Sequence, residues 1–273
     1  MIKLEKTEVV GWEAAIRGMR NPMNSWDKSD SRYSCLCMDD KRDCPVEPYI
    51  IGPNDLELMM KLRNAGTDHR KFMRMIVVYV DITAPLYWWK EFKTYRAGRK
   101  FGDDEPDIID DGYLECDIET NSCSTMHKIH EKEFTLEDFS CEHLTKGSIA
   151  VLEDTINALN EARIWYLSWD YMSEKDRENF DPGITCNKDL WWQMIQLLPS
   201  SYNQKRTVMM NYEVLANIYK SRKNHKLDEW VAFCKWIESL PYPELITGVS
   251  LNDIPICNEI MEEAKGRVEN GEG

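Results

Sequence analysis

The sequence predicts a mixed α and β fold in which helices cover a sheet, and three observations carry that expectation. From Phe72 to Thr83 nearly every residue is apolar or β-branched (Met75, Ile76, Val77, Val78, Tyr79, Val80, Ile82), which at this length marks a strand buried on both faces. Downstream, Leu152, Ile156, Leu159 and Tyr166 recur at three-, four- and seven-residue spacing, the apolar stripe of a helix packed on a core. At 273 residues, with 42% apolar and 30% charged side chains, the chain is long enough to bury a sizeable core, and one compact unit is expected over residues 1–273.

Each element has its own local reason. A short helix is expected from Glu13 to Met19, followed by an irregular polar segment, Asn21 to Pro48, that reads as an arm or lid. Asn54-Asp55-Leu56-Glu57 offers a cap and an acidic first turn to a helix with Leu56, Met59, Met60 and Leu62 on one side and Gly66 at its stop. After the apolar strand, Pro85 suits the first turn of a helix, where its missing N–H costs nothing, and Gly98 suits the far end. Along that helix Tyr87, Glu91 and Tyr95 fall four apart on one stripe. Exposed aromatic surface at Tyr87–Trp89 would suit a subunit interface.

Residues 99–120 carry nine Asp or Glu with little periodicity and read as an exposed acidic insertion. Asn121 to Lys128 reads as a compact polar turn, and Thr135-Leu136-Glu137-Asp138 as a capping box opening a short helix. Ser148 is placed as the cap of a long helix to about Tyr171, and Ser173 as the start of a brief one. Asn187 to Leu198 follows as a helix stopped by Pro199, Asn211 caps another to about Lys223, and Leu227 to Leu240 is amphipathic.

Composition narrows the function classes. Forty-eight acidic against 34 basic residues give a net charge of -14, which opposes general affinity for nucleic-acid polymers and anionic membranes while permitting a local basic pocket. No stretch approaches the ~18 uncharged residues of a membrane helix, and Lys3, Glu5, Lys6 and Glu8 interrupt any signal-peptide core, so a cytoplasmic protein is expected. Nine cysteines scattered from Cys35 to Cys257 suit free thiols in a reducing compartment. Cys35, Cys37 and Cys44 have a spacing unlike that of zinc ligands, and the five histidines are dispersed, although His127 and His130 lie one helical turn apart, so no metal site is expected. The sequence contains no G-x-S-x-G, Walker, H-E-x-x-H or G-x-G-x-x-G pattern.

The order of several segments is more specific. A helix ending at Gly66, then Gly66-Thr67-Asp68-His69, the buried strand, Ala84-Pro85-Leu86-Tyr87-Trp88-Trp89-Lys90-Glu91-Phe92-Lys93-Thr94-Tyr95-Arg96, and finally Asn121-Ser122-Cys123-Ser124-Thr125-Met126-His127-Lys128 follow one another. This order resembles the flavin-dependent thymidylate synthase family, whose signature runs P-x-x-x-x-R-Q-x-x-R-H-R and, after a short gap, N-E-x-S-x-R-Y. Alignment on Pro85 places Lys90-Glu91 on the family's Arg-Gln, Thr94-Tyr95-Arg96 on its Arg-His-Arg, and Asn121, Ser124 and His127 on its Asn, Ser and Tyr. Leu198-Pro199, Asn211, Leu215 and Arg222 resemble a later segment in which L-P precedes N-x-R-S-L and a following L-R, so the resemblance spans roughly residues 54 to 240.

The resemblance implies a central, mostly antiparallel sheet flanked by helices, and a homotetramer with shared active sites. It implies FAD as cofactor, NADPH and methylenetetrahydrofolate as co-substrates, and transfer of a one-carbon unit to C5 of a pyrimidine deoxynucleotide. Carried over by position, it places His69, Tyr95, Arg96, Asn121 and Asn211 at the cofactor, and Glu91, Ser124, Lys128, Arg206, Glu213 and Arg222 at the substrate, with no enzymic nucleophile. Several guanidiniums of the pattern are replaced: Lys90-Glu91 stands for Arg-Gln, Thr94 for Arg, Met126 for Arg, and Glu213 for an Arg that contacts the pyrimidine. Neither Met nor Glu reproduces a planar, always-charged fork, and Lys128, Lys205 and Arg206 are the candidates for replacement charge. A Gln amide both donates and accepts whereas the Glu91 carboxylate only accepts, which favours a ring presenting an exocyclic amine, as in a cytosine nucleotide. Loss of arginines on a preserved apolar frame is equally what a catalytically degenerate nucleotide- or flavin-binding protein would show. A third reading keeps the aromatic helix as plain core in an oligomeric protein of unrelated chemistry.

Overall fold

A computed structural model describes residues 2–33, 49–92, 94–95, 118–124 and 127–248. The cysteine group at 35, 37 and 44, most of the acidic insertion, and Arg96, Gly98 and Met126 lie outside the described residues. In chain order the elements are β1 (Lys3–Val10), α1 (Trp12–Arg20), β2 (Arg32–Tyr33), β3 (Tyr49–Ile50), α2 (Pro53–Asn64), β4 (Val77–Pro85), α3 (Leu86–Phe92) and β5 (Ile118–Ser122). They continue with α4 (Lys146–Ser168), α5 (Glu174–Arg177), α6 (Asn187–Leu197), β6 (Asn203–Asn211), α7 (Tyr212–Arg222), α8 (Asp228–Glu238) and α9 (Glu244–Thr247). The fold combines helices with an antiparallel sheet. Its four strands run in the order β1-β4-β6-β5, and β2 and β3 form a separate antiparallel pair. No helix among the described residues is long and apolar enough to cross a membrane.

Contacts divide the chain into two compact units. One comprises Met1–Lys6, Val80–Thr94 and Thr120–Val208, and the other Thr7–Tyr79, Tyr95–Glu119 and Met209–Gly273. In the first, α4 packs on α6, and Leu152, Ile156, Leu159 and Ala162 of α4 join Met194 of α6 with Phe134 and Phe139 in one buried cluster. The stripe expected from spacing is therefore a core seam. Thr135 and Asp138 form the expected capping box, here over a 3-10 turn, Leu136–Asp138. Ser173 caps α5, as read. The cap of α4 is Thr145, whose Oγ1 accepts from the Ser148 N–H, and not Ser148 itself; α4 ends at Ser168, and a 3-10 turn carries the chain to Tyr171.

In the second unit α1, α2 and α7 pack on a 3-10 helix, Arg70–Met75, while α8 and α9 pack on α7. That helix takes the first residues of the apolar run, so the strand starts at Val77 and not at Phe72. Burial alternates along β4, with Tyr79 exposed between Val78 and Val80, so one face of this strand is covered more fully than the other. Gly11 opens α1 at φ 95, and a Cβ there would lie 2.1 Å from the Met75 carbonyl oxygen, so both conformation and space require glycine.

The N-terminus of α2 departs from the expected Asn54 cap. Gly52 holds the cap position, and the N–H groups of Asn54 and Asp55 donate instead to the Asp30 carboxylate at 2.9 and 3.0 Å. Asp55, fully buried, accepts Arg20 Nε at 2.6 Å on Oδ1. On Oδ2 it accepts the Ser29 and Ser31 hydroxyls at 2.7 and 2.6 Å and the backbone N–H groups of Asp30 and Ser31, each at 3.1 Å. Arg20 also donates to the carbonyls of Ser25 and Lys28. The first part of the predicted polar arm is thus pinned through one carboxylate and one guanidinium. Burial alone would raise the Asp55 pKa, yet the hydrogen bonds from Ser31, Ser29 and Arg20 hold it below the ordinary carboxylate value.

Candidate functional site

Pro85 ends β4 and does not begin the helix, which starts at Leu86. The exposed N–H groups at that start are satisfied by backbone: Leu86 donates to the Tyr202 carbonyl and Tyr87 to the Ser200 carbonyl, both at 3.0 Å. Helix α3 buries Trp88, Trp89 and Phe92, with the Trp88 and Phe92 rings stacked at 4.7 Å and Trp89 edge-on to Phe92 at 5.3 Å. Two of the three aromatic residues expected as exposed surface at Tyr87–Trp89 are therefore core, and Tyr87 is half-buried. Glu91 is half-buried on α3, whereas Tyr95 lies beyond the helix end and does not share its stripe.

The Trp89 indole N–H donates to the Gln204 carbonyl at 3.1 Å. The Arg206 guanidinium carbon sits 4.3 Å from the centroid of the same Trp89 ring, and its Nε donates to Gln204 Oε1 at 2.9 Å. Gln204 is itself held, its Nε2 donating to the Cys123 carbonyl at 2.8 Å while the Cys123 N–H donates to the Lys205 carbonyl. A strand alternates its faces, so Gln204 and Arg206 lie on one side of β6 and Lys205 and Thr207 on the other. On that other side Asp81 accepts from Thr207 at 2.7 Å and pairs with Lys205 at 3.2 Å, and Lys205 also pairs with Glu5 at 3.6 Å. The Lys205 charge is consumed within the sheet. That of Arg206 meets no carboxylate among the described residues, and burial lowers its pKa below the ordinary guanidinium value.

Other predicted substrate and cofactor residues of this unit lie nearby in sequence. Asn121 is exposed on β5, and Ser124 Oγ accepts from the His127 N–H at 3.0 Å, as a polar turn requires. Lys128 is exposed and paired with Glu131.

In the other unit Asn211 caps α7 as expected, its Oδ1 accepting the Val214 N–H at 3.0 Å. Glu213, in the first turn, is fully buried. Its carboxylate takes Arg70 Nε at 3.2 Å on one oxygen and Arg74 Nε on the other, while Arg70 Nη2 reaches Asn217 at 3.3 Å. The position where the family pattern expects a guanidinium thus carries a carboxylate that gathers two guanidiniums from the 3-10 helix. Tyr95 is buried, its hydroxyl accepting from Arg222 Nε. Arg222 lies 4.9 Å over the Trp230 ring, and Tyr95 meets that ring edge-on at 5.7 Å. His69 is exposed ahead of the 3-10 helix.

Within the units, then, the structure joins Tyr95 to Arg222, sets Asn211 and Glu213 in one helix start, and leaves His69, Asn121, Ser124 and Lys128 at the surface. Sequence reasoning missed Gln204, Arg70, Arg74 and Asn217. The four-residue spacing of Arg70 and Arg74 and the two-residue spacing of Gln204 and Arg206 were the available signals. Among the described residues no group of three or more His, Cys, Asp or Glu is placed to hold a metal ion.

No protein-family model and no curated protein sequence matches the chain. Solved structures do. The flavin-dependent thymidylate synthase ThyX from Helicobacter pylori, complexed with FAD and dUMP, superposes with a TM-score of 0.53 at 16% identity, over 90% of this chain and 98% of that one. A second structure of ThyX from Helicobacter pylori with FAD and dUMP gives a TM-score of 0.52 at 14% identity, over 94% of this chain and 99% of that one. At such low identity the likeness extends to the fold, and over nearly its whole length this chain shares a distant ThyX-like scaffold.

Proposed function

We propose that this protein is a flavin-dependent thymidylate-synthase-like enzyme. It transfers a one-carbon unit from methylenetetrahydrofolate to C5 of a pyrimidine deoxynucleotide, dUMP or a related one such as dCMP, with FAD as cofactor and NADPH as reductant, as a cytoplasmic homotetramer. The observation that carries this reading is the match to ThyX structures holding FAD and dUMP, which covers almost the full length of both chains.

The donor chemistry fits a flavin nucleotide. Asn211 spends its carbonyl oxygen on the α7 cap and keeps its amide N–H groups as donors. Beside it Arg70 and Arg74 converge on the buried Glu213 carboxylate in the first turn of the same helix. In this reading His69, Tyr95, Arg96, Asn121 and Asn211 belong to the cofactor side, and Glu91, Ser124, Lys128, Arg206, Glu213 and Arg222 to the substrate side. Buried Glu213 acts there by positioning Arg70 and Arg74, and Tyr95 by fixing the Arg222 guanidinium. When bound, the flavin supplies the reducing equivalent for the transferred carbon; the chain's own residues bind, orient and neutralise charge.

The test is a visible absorption spectrum of the purified protein together with an assay for methyl transfer to dUMP and dCMP. Flavin absorbance with product formation is expected. A colourless protein that takes up no added FAD would sink the reading. Tighter binding of dUMP than of dCMP would remove the role given to Glu91. A second reading, a catalytically degenerate binder on the same scaffold, draws on Glu213 standing where the family pattern has an arginine. It predicts flavin or nucleotide binding with no methyl transfer.

A further inference from the structure

We propose that Arg206 is a preorganised receptor for a phosphate group, with Trp89 as its platform and Gln204 as its positioning residue. A guanidinium offers five N–H donors in a rigid plane. Here that plane is fixed twice: by the stack on Trp89 at 4.3 Å, and by the single bond from Nε to Gln204 Oε1 at 2.9 Å. Gln204 cannot swing away, because it is 6% exposed and its amide nitrogen is tied to the Cys123 carbonyl at 2.8 Å. Nor can the platform, whose indole N–H is tied to the Gln204 carbonyl at 3.1 Å.

All of this fixes the Nε edge and the ring face, and uses neither terminal nitrogen. Among the described residues Arg206 Nη1 and Nη2 have no hydrogen-bond acceptor and no carboxylate. Packing alone would be served as well by an apolar side chain, and the terminal nitrogens of this half-buried guanidinium are not shut away from solvent, so their donors are open to an arriving oxyanion. Two adjacent donors in one plane match two oxygens of a phosphate. In a chain of net charge -14 such a fork is where a phosphate-bearing ligand finds attraction.

The choice of a nucleotide phosphate over free phosphate rests on the function proposed above; the fork itself does not. The test is calorimetric titration at low salt of inorganic phosphate, dUMP and deoxyuridine into wild type and the variants R206K, R206Q and Q204E, with a thermal melt of each. R206Q is expected to lose about tenfold or more in affinity for phosphate and dUMP, the worth of one charge-assisted hydrogen bond, with deoxyuridine unchanged. R206K, which keeps the charge but not the fork, is expected to lose about threefold to tenfold. Q204E sets a carboxylate against Nε but loses the donor to the Cys123 carbonyl, so the melt falls modestly while the protein stays folded, and phosphate affinity falls about tenfold because the guanidinium is neutralised.

A folded Q204E protein that binds phosphate like wild type would reduce Gln204 to packing. Undiminished dUMP binding by R206Q, or no phosphate binding by wild type, overturns the receptor, and methyl-transfer activity in the same preparations would leave the proposed enzyme standing. Phosphate capture through Arg206 with no affinity for any pyrimidine nucleotide keeps the receptor and removes that enzyme.

Discussion

Arg20 and Arg206 are guanidiniums set one in each compact unit, the first buried and the second half-buried. Arg20 spends its donors on Asp55 and on the carbonyls of Ser25 and Lys28, and the carboxylate it meets is saturated in turn by two serine hydroxyls and two backbone N–H groups. Arg206 spends only Nε, on a neutral amide, and its π-face, on Trp89. Satisfaction separates the two roles. A closed network holds the chain together, whereas an open but rigid fork is prepared for something that arrives. Glu213 stands between them: closed on the carboxylate side, yet with two guanidiniums gathered on it.

That contrast is broken most severely at Asp55. Replacing Asp55 by Asn leaves the Arg20 guanidinium buried without its counter-charge, and a loss of about 3–5 kcal/mol is expected, read by urea denaturation. The same carboxylate sets an acid limit. Its folded pKa lies below the unfolded value, so the native state sheds the proton more readily. Its contribution is complete above about pH 5 and disappears as pH falls through the folded pKa, so wild type should lose stability in that acid range by more than D55N does.

Glu213→Gln tests the intermediate case. It leaves the partly buried Arg70 and the exposed Arg74 facing a neutral amide, and about 2 kcal/mol of stability should be lost. The thermal midpoint of the variant checks this. A smaller loss is expected at the Asn211 cap, where Asn211→Ala removes the bond to the Val214 N–H at a cost of about 1 kcal/mol. If Asn211 also donates to a flavin, that variant will lose cofactor in spectroscopic titration by more than its stability loss explains.

The sequence was readable where the cause was local. Leu152, Ile156 and Leu159 announce their seam by spacing alone, and Asn211 and Ser173 announce their caps by type and position. It was misread where the partner came from far along the chain. The N–H groups of α2 go to Asp30, more than twenty residues upstream, so Asn54 looked like a cap without being one. Strand β1 was missed because only Leu4 and Val9 are partly buried along it, so no core face is written in the sequence. Strand β6 was missed because Lys205 and Thr207 write an ion-pair face where an apolar one would have been recognised. The site followed the same rule. Tyr95, Asn211, Arg206 and Arg222 were named from order and residue type, but Arg70, Arg74 and Gln204 acquire their roles only from the acceptors the fold brings to them.

The smallest expected effect on stability is also the sharpest. Arg206→Gln removes a cation–π stack and one hydrogen bond to a neutral amide, interactions of roughly 0.5–1 kcal/mol each, and relieves the burial of a charge that works in the opposite direction. The net change in the urea midpoint should therefore stay within about 1 kcal/mol of wild type. Arg20→Gln, by contrast, strands the buried Asp55 carboxylate and should approach the loss seen for the Asp55 variant. Near-equal losses for the two arginine variants would mean that Arg206 is structural after all. A small loss for Arg206→Gln, with Arg20→Gln close to unfolding, is what an open fork beside a closed network requires.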